Sequence, residues 1–147
     1  MITVDEQLMT WREGMTLADL LAPAGIETRL VLVWDGGVRT GRIDAHRFVE
    51  IVSANPARMF GLWPKKGTIA VGSDGDLVLF DPEGETTLSA TSLHMRVDYN
   101  PYEGRVVRGT PAVVLSRGEV LVDHGRWLGR KGRGEYIKRQ AGPPLVA

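Results

Sequence analysis

Apolar and polar residues alternate with a two-residue rhythm at the start of the chain, through Ile2, Val4, Glu6, Leu8 and Thr10. That rhythm predicts a strand pair, with Asp5-Glu6 at the tight turn between them. Thr16 then opens a predicted short helix. Asp19 follows three residues later, as in a capping box, and Leu17, Leu20 and Leu21 form an apolar stripe. Pro23 and Gly25 end it. Residues 28 to 38 are an apolar strip that runs into Asp35-Gly36-Gly37. After Asp44, a natural N-cap, Ala45, Phe48, Val49 and Val52 recur at the spacing of one buried helix face. Asn55 is read as the cap of a further short helix. Pro56 stands at its first position, where a missing N–H costs nothing. Gly61 is placed for a left-handed helix end.

Beyond Pro64 the pattern changes to strands and turns. Gly67 and Gly72 bracket the run from Thr68 to Val71. Leu77 to Phe80 is continuously apolar, as in a strand buried on both faces, and Asp81-Pro82 bounds it. Val106-Val107, Ala112 to Leu115 and Val120 to Val122 read as further short strands. Arg117-Gly118 and His124-Gly125 supply their turns. From Gly129 onward the chain is basic and glycine-rich, and is read as a loose, solvated tail.

The chain has 147 residues, enough for one modest core. Its 18 basic and 18 acidic residues cancel, so no global charge favours nucleic acid or an anionic membrane. It has no cysteine, which removes disulfides and thiolate metal sites. No apolar run is long enough to span a bilayer, and the first residues lack the pattern of a signal peptide. A cytoplasmic protein is expected.

Specific segments narrow this further. Asn55-Pro56-Ala57-Arg58-Met59-Phe60-Gly61-Leu62, the run from Lys66 to Pro82, and Asp98-Tyr99-Asn100-Pro101-Tyr102-Glu103-Gly104 resemble the carboxy-terminal part of amidohydrolases. Gly25 to Leu30, Gly41-Arg42-Ile43, Arg47-Phe48-Val49 and Val120 to Gly125 stand in the same order. The resemblance covers roughly residues 25 to 139 and points to the cyclic amidases, the hydantoinases and dihydropyrimidinases. The stretch 1 to 22 is also similar to the start of the ubiquitin-like sulfur carriers of thiamine biosynthesis. Their terminal Gly-Gly is replaced here by Pro143-Pro144-Leu145-Val146-Ala147, so the carrier chemistry is not carried over.

The amidase resemblance implies metal-dependent hydrolysis of cyclic amide C–N bonds by two divalent metals, usually zinc, in a (β/α)8 barrel. The family's ligands all precede the matched region. The resulting fold expectation is α+β and mainly β. It comprises part of a β-sandwich with two or three short helices and without the catalytic barrel. Residues 1–24 form the hairpin and helix, 25–64 a remnant of the barrel end, 65–128 sandwich strands and 129–147 the basic tail.

No catalytic, cofactor-binding or metal-ligating residue is expected. His46, His94 and His124 are dispersed, and none stands in a His-x-His. His46 is read on the exposed face of its helix. His94 is read as a structural hydrogen-bonding group and His124 as part of a surface turn. Asp74, Asp76 and Asp81 are read as turn residues bonding nearby backbone N–H groups, since a calcium loop would need a regular ligand run. Ser53, Ser73 and Ser116 lack a nucleophile elbow. The glycine-rich stretches lack the strand-to-helix setting of a phosphate cradle. Arg130, Lys131, Arg133, Lys138 and Arg139 lack the aromatic platform of a nucleic-acid groove. With a ubiquitin-like carrier or binding module as an alternative, the expected role is that of a structural or subunit-association module. Its partner is another copy, or a separate barrel subunit completing a cyclic amidase. Phe48, Val52, Phe60, Leu62 and Trp63 are the apolar residues expected to need cover.

Overall fold

The computed structural model describes residues 2–4, 7–9, 25–92 and 98–140, with side chains over 28–92 and 98–140. The contacts divide the chain into two compact units. One joins Met1–Arg29 to Thr87–Arg105, and the other joins Leu30–Thr86 to Val106–Ala147.

In the first unit, β1 (Ile2–Val4) and β2 (Gln7–Met9) pair antiparallel, with Ile2 opposite Met9 and Val4 opposite Gln7. The strand pair is therefore as expected, while the Asp5-Glu6 turn lies outside the described residues. The helix expected around Thr16 to Leu21 lies outside the described residues. Leu88 and Tyr102 are buried in this unit. The backbone closes there through Leu88 N–H to Arg105 O at 2.9 Å and Gly104 N–H to Leu88 O at 2.8 Å. Asn100 to Gly104 make a local turn, with Glu103 N–H bonded to Asn100 O at 3.1 Å. The Asn100 side-chain oxygen accepts from Tyr102 N–H, and Glu103 accepts from the Ser89 hydroxyl and the Ala90 N–H.

The apolar strip of residues 28 to 38 is helical. Helix α1 (Gly25–Val33) continues as a wider π turn over Trp34–Val38, closed by Arg39 N–H to Trp34 O at 3.1 Å. Gly36 and Gly37 thus lie within a helical path rather than ending it. Helix α2 (Ala45–Val49) begins as expected, because the Asp44 carboxylate accepts the Arg47 N–H at 2.7 Å. The next helix does not start afresh. A π turn over Glu50–Ala54 leads directly into α3 (Asn55–Met59), and Asn55 is itself helical with φ −68° and ψ −45°. Its side chain caps no backbone N–H there; it accepts from the Arg58 guanidinium at 3.4 Å. Pro56 does lie in the first turn. Gly61 ends the helix at φ +66°, with Gly61 N–H bonded to Arg58 O and Leu62 N–H bonded to Ala57 O. These two bonds make a Schellman cap.

Four strands follow in the sheet order β3-β4-β5-β6. β3 (Leu77–Thr87) runs past Asp81-Pro82, so that pair does not end it. Val78 and Leu79 are about half exposed, at 47% and 52%, so β3 is not buried on both faces. The two expected strands at Val106 and Ala112 are one strand, β4 (Val106–Ser116). β5 (Glu119–Asp123) pairs antiparallel with β4, with Val114 opposite Val122 and a register shift between Val114 and Leu115. β6 (Arg126–Trp127) adds a short edge. Arg117-Gly118 and His124-Gly125 turn the strands as expected, all four at positive φ, the setting of tight primed hairpin turns. The bracketed run Thr68 to Val71 is not a strand, and Ile69 and Val71 are exposed.

The fold is therefore a mixed α+β arrangement of one four-stranded sheet and short helices, with no barrel among the described residues. Its second unit packs around an aromatic cluster. Trp34 meets Phe48 edge-on at 5.3 Å and Phe80 at 5.1 Å between centroids. Gly109 on β4, at φ +108°, makes room for the cluster. A Cβ there would come within 2.6 Å of both Phe80 and Trp34. Asp35 ties the helical segment to β4 by accepting the Arg108 N–H at 3.2 Å.

Candidate functional site

Among the described residues, the titratable side chains do not converge on a reaction centre. His46 is exposed on α2. His124 is exposed in its turn, with Nδ1 2.7 Å from the Asp123 carboxylate. His94 lies outside the described residues. Ser73 donates to the Pro64 carbonyl at 2.7 Å. Ser116 ends β4, and Ser53 lies in the π turn before α3. Among the described residues, no group of three or more His, Cys, Asp or Glu side chains is placed to hold a metal ion. The donor set present there does not fit a two-metal amidase centre, and no reaction step through a metal follows from these residues.

The carboxylates of the 72–76 turn have a different role from the one expected. Lys65 Nζ lies 2.5 Å from Asp74, and Lys66 Nζ lies 2.9 Å from the same carboxylate while also bonding Asp76. Asp76 in addition accepts the Arg117 N–H at 2.8 Å, and Gly118 N–H bonds Gly75 O at 2.9 Å. The cluster thus fastens the loop after α3 to the β4–β5 turn. Hydrogen bonds from Lys65 and Lys66 hold the Asp74 carboxyl below its ordinary pKa. Burial alone would push Asp76 up, but Lys66 and the Arg117 N–H outweigh it and the pKa falls. Burial alone would lower Lys66; its bonds to Asp76 and Asp74 outweigh that and raise it. Asp81 does behave as a turn residue, accepting the Glu83 N–H at 3.0 Å. The pairing with Lys65-Lys66 was missed because ten residues separate Lys66 from Asp76, and no periodicity relates positions across an irregular loop.

An apolar concavity with a volume of about 800 Å³ is lined by described residues of the second unit. Trp34, Phe48 and Phe80 form part of its wall, with Val49, Val52, Trp63, Leu77 and Val78 around them. Among its described lining residues Asp76 is the acidic one. Such a surface can receive apolar side chains, and its described lining holds no nucleophile–base pair with which to act on a substrate. The residues expected to need cover divide here. Phe48 is 7% exposed and already used inside the unit, while Phe60 is 51% exposed. Val52, Leu62 and Trp63 are half-buried. Val49, Ile69, Val78 and Leu79 are exposed as well.

Comparison with known proteins places these features. The model of the Amidohydrolase family matches residues 1–121, so the match takes in the opening stretch as well. A D-hydantoinase of Geobacillus stearothermophilus is 51% identical over 122 residues, which is 83% of this chain and 26% of that protein. The solved D-hydantoinase of Bacillus sp. AR9 superposes with a TM-score of 0.75 at 50% identity, over 78% of this chain and 25% of that one. The dihydropyrimidinase of Brevibacillus agri NCHU1002 gives a TM-score of 0.75 at 47% identity, with the same shares. The chain thus spans about a quarter of the length of the relatives it matches.

Proposed function

This chain belongs to the amidohydrolase family, and we propose that its 147 residues are a non-catalytic structural and subunit-association module of the hydantoinase and dihydropyrimidinase type. The observation that carries the reading is the concavity. It is apolar, lined by aromatic and branched side chains, and has exposed Val49 and Val78 among its lining residues. Large exposed apolar surfaces are costly in water and are ordinarily covered by a partner. Cyclic amide hydrolysis, the reaction implied by the family resemblance, needs a metal centre that these described side chains do not supply. We therefore assign the chain no turnover of its own.

The partner is a second copy, most simply related by two-fold symmetry. The concavity also supports a second reading, in which the chain completes a separate barrel subunit as part of a cyclic amidase. Light scattering at micromolar concentration tests the first reading. A dimer or larger closed oligomer is expected, and Val49→Asp with Val78→Asp should shift it towards monomer. A compact monomer that gains hydantoinase activity only when mixed with a separately produced barrel would favour the second. A monomer that does neither contradicts both.

A further inference from the structure

The tripeptide Arg-Gly-Glu occurs twice, as Arg117-Gly118-Glu119 at the β4–β5 turn and as Arg133-Gly134-Glu135 after β6. The two copies engage each other reciprocally. Arg117 Nη1 lies 3.1 Å from the Glu135 carboxylate, and Arg133 Nε lies 3.2 Å from that of Glu119. Each guanidinium also reaches a backbone carbonyl on the opposite side. Arg133 Nη2 donates to Ser116 O at 2.6 Å, and Arg117 Nη2 donates to Arg133 O. Arg133 is only 14% exposed at its side chain, so it is not the solvated tail residue its sequence setting suggests.

The chain then continues to a second anchor. Gln140 N–H donates to Gly61 O at 2.8 Å, at the Schellman cap of α3. A Cβ on Gly61 would run into the Gln140 carbonyl oxygen, so the missing side chain admits the tail as well as the left-handed turn. On the way, the Arg139 guanidinium sits 5.7 Å from the centre of the exposed Phe60 ring.

We propose that the paired Arg-Gly-Glu tripeptides are a reciprocal clasp, which straps residues 129–140 onto the β4–β5 turn and the end of α3 and can release them together. The strap has no regular secondary structure, so its order depends on these few contacts. A segment held that way opens locally without unfolding the sheet beneath it. Release uncovers the Gly61 carbonyl and parts Arg139 from the already half-exposed Phe60 ring. Each guanidinium serves a carboxylate and a carbonyl at once, a task that needs the planar fork of arginine and that the point charge of lysine does not match.

Amide hydrogen exchange on the full chain tests the clasp, with trypsin cleavage after Lys138 and Arg139 as a second readout. The Gln140 amide should be protected relative to a free peptide. In Arg133→Ala and Arg133→Lys its exchange should rise about tenfold or more, given what hydrogen bonds to charged groups contribute. Tryptic cutting should speed up with it, while amides of the β4–β5 ladder keep their rates. Exchange of the Gln140 amide at the free-peptide rate in the parent chain would overturn the proposal, as would unchanged exchange in both variants. If Arg133→Ala fails to fold, Glu135→Ala, at a side chain 74% exposed, must raise the Gln140 rate by itself; no change there also overturns it.

Discussion

Lys66 shows how little a residue's identity says about its role until its neighbours are known. In the sequence it is one of two adjacent lysines after Pro64. In the fold its ammonium bonds both Asp74 and Asp76, and Asp76 holds the backbone of Arg117. The pKa directions make this cluster testable. Unfolded carboxyls titrate near pH 4, and Asp74, Asp76 and Glu103 lie below their ordinary values in the fold. Their contribution is therefore present above about pH 4 and is lost as pH falls through the lower folded values. Lys66 has the opposite sign: its contribution is whole below about pH 10.4 and is lost as pH rises through its raised folded value. Urea midpoints measured from pH 6 down to pH 2 should fall, and Asp76→Asn should make that fall shallower. An identical acid limb in the variant would contradict this assignment. At Gly109 the expected change is steric. Ala would meet Phe80 and Trp34 at a φ unfavourable to any side chain, so Gly109→Ala should cost about 1–3 kcal/mol in denaturant unfolding.

Among the elements, those with local causes were legible in the sequence and those with distant causes were not. Asp44 capping α2, Gly61 ending α3, the β1–β2 hairpin and both primed turns all follow from residues within a few positions of each other. Asp44→Ala should remove the Arg47 N–H acceptor and cost about 1 kcal/mol of stability by chemical denaturation, with no loss of the sheet. The joining of α2 to α3 through a π turn was hidden, because Asn55-Pro56 reads as a fresh start whenever the preceding turn is assumed to be a loop. β3 was cut short for a similar reason. Asp81-Pro82 is a common strand end, yet the pairing of this segment with β4, including Thr86 Oγ1 to Gly109 O at 3.1 Å, extends it to Thr87. The apparent strand at Thr68 to Val71 failed because glycines on both sides mark a strand only when another strand lies beside it. The Lys–Asp cluster and the Arg-Gly-Glu pair required the folded chain, because their members are far apart in sequence.

At the scale of the whole molecule, the family is settled by identity over most of this chain, while the matched region is a quarter of each relative. A segment can keep the sequence of an enzyme family without carrying its chemistry, since reaction centres and supporting layers are separate parts of a fold. The apolar concavity fits the supporting role, and the oligomeric state set out above tests what covers it. The central claim is catalytic silence. The most direct measurement is hydrolysis of hydantoin and dihydrouracil by the purified 147-residue chain, with zinc or manganese added and a mock purification alongside. Turnover indistinguishable from the mock preparation is expected. Metal-dependent ring opening that follows the protein through purification and exceeds the mock preparation would contradict the account.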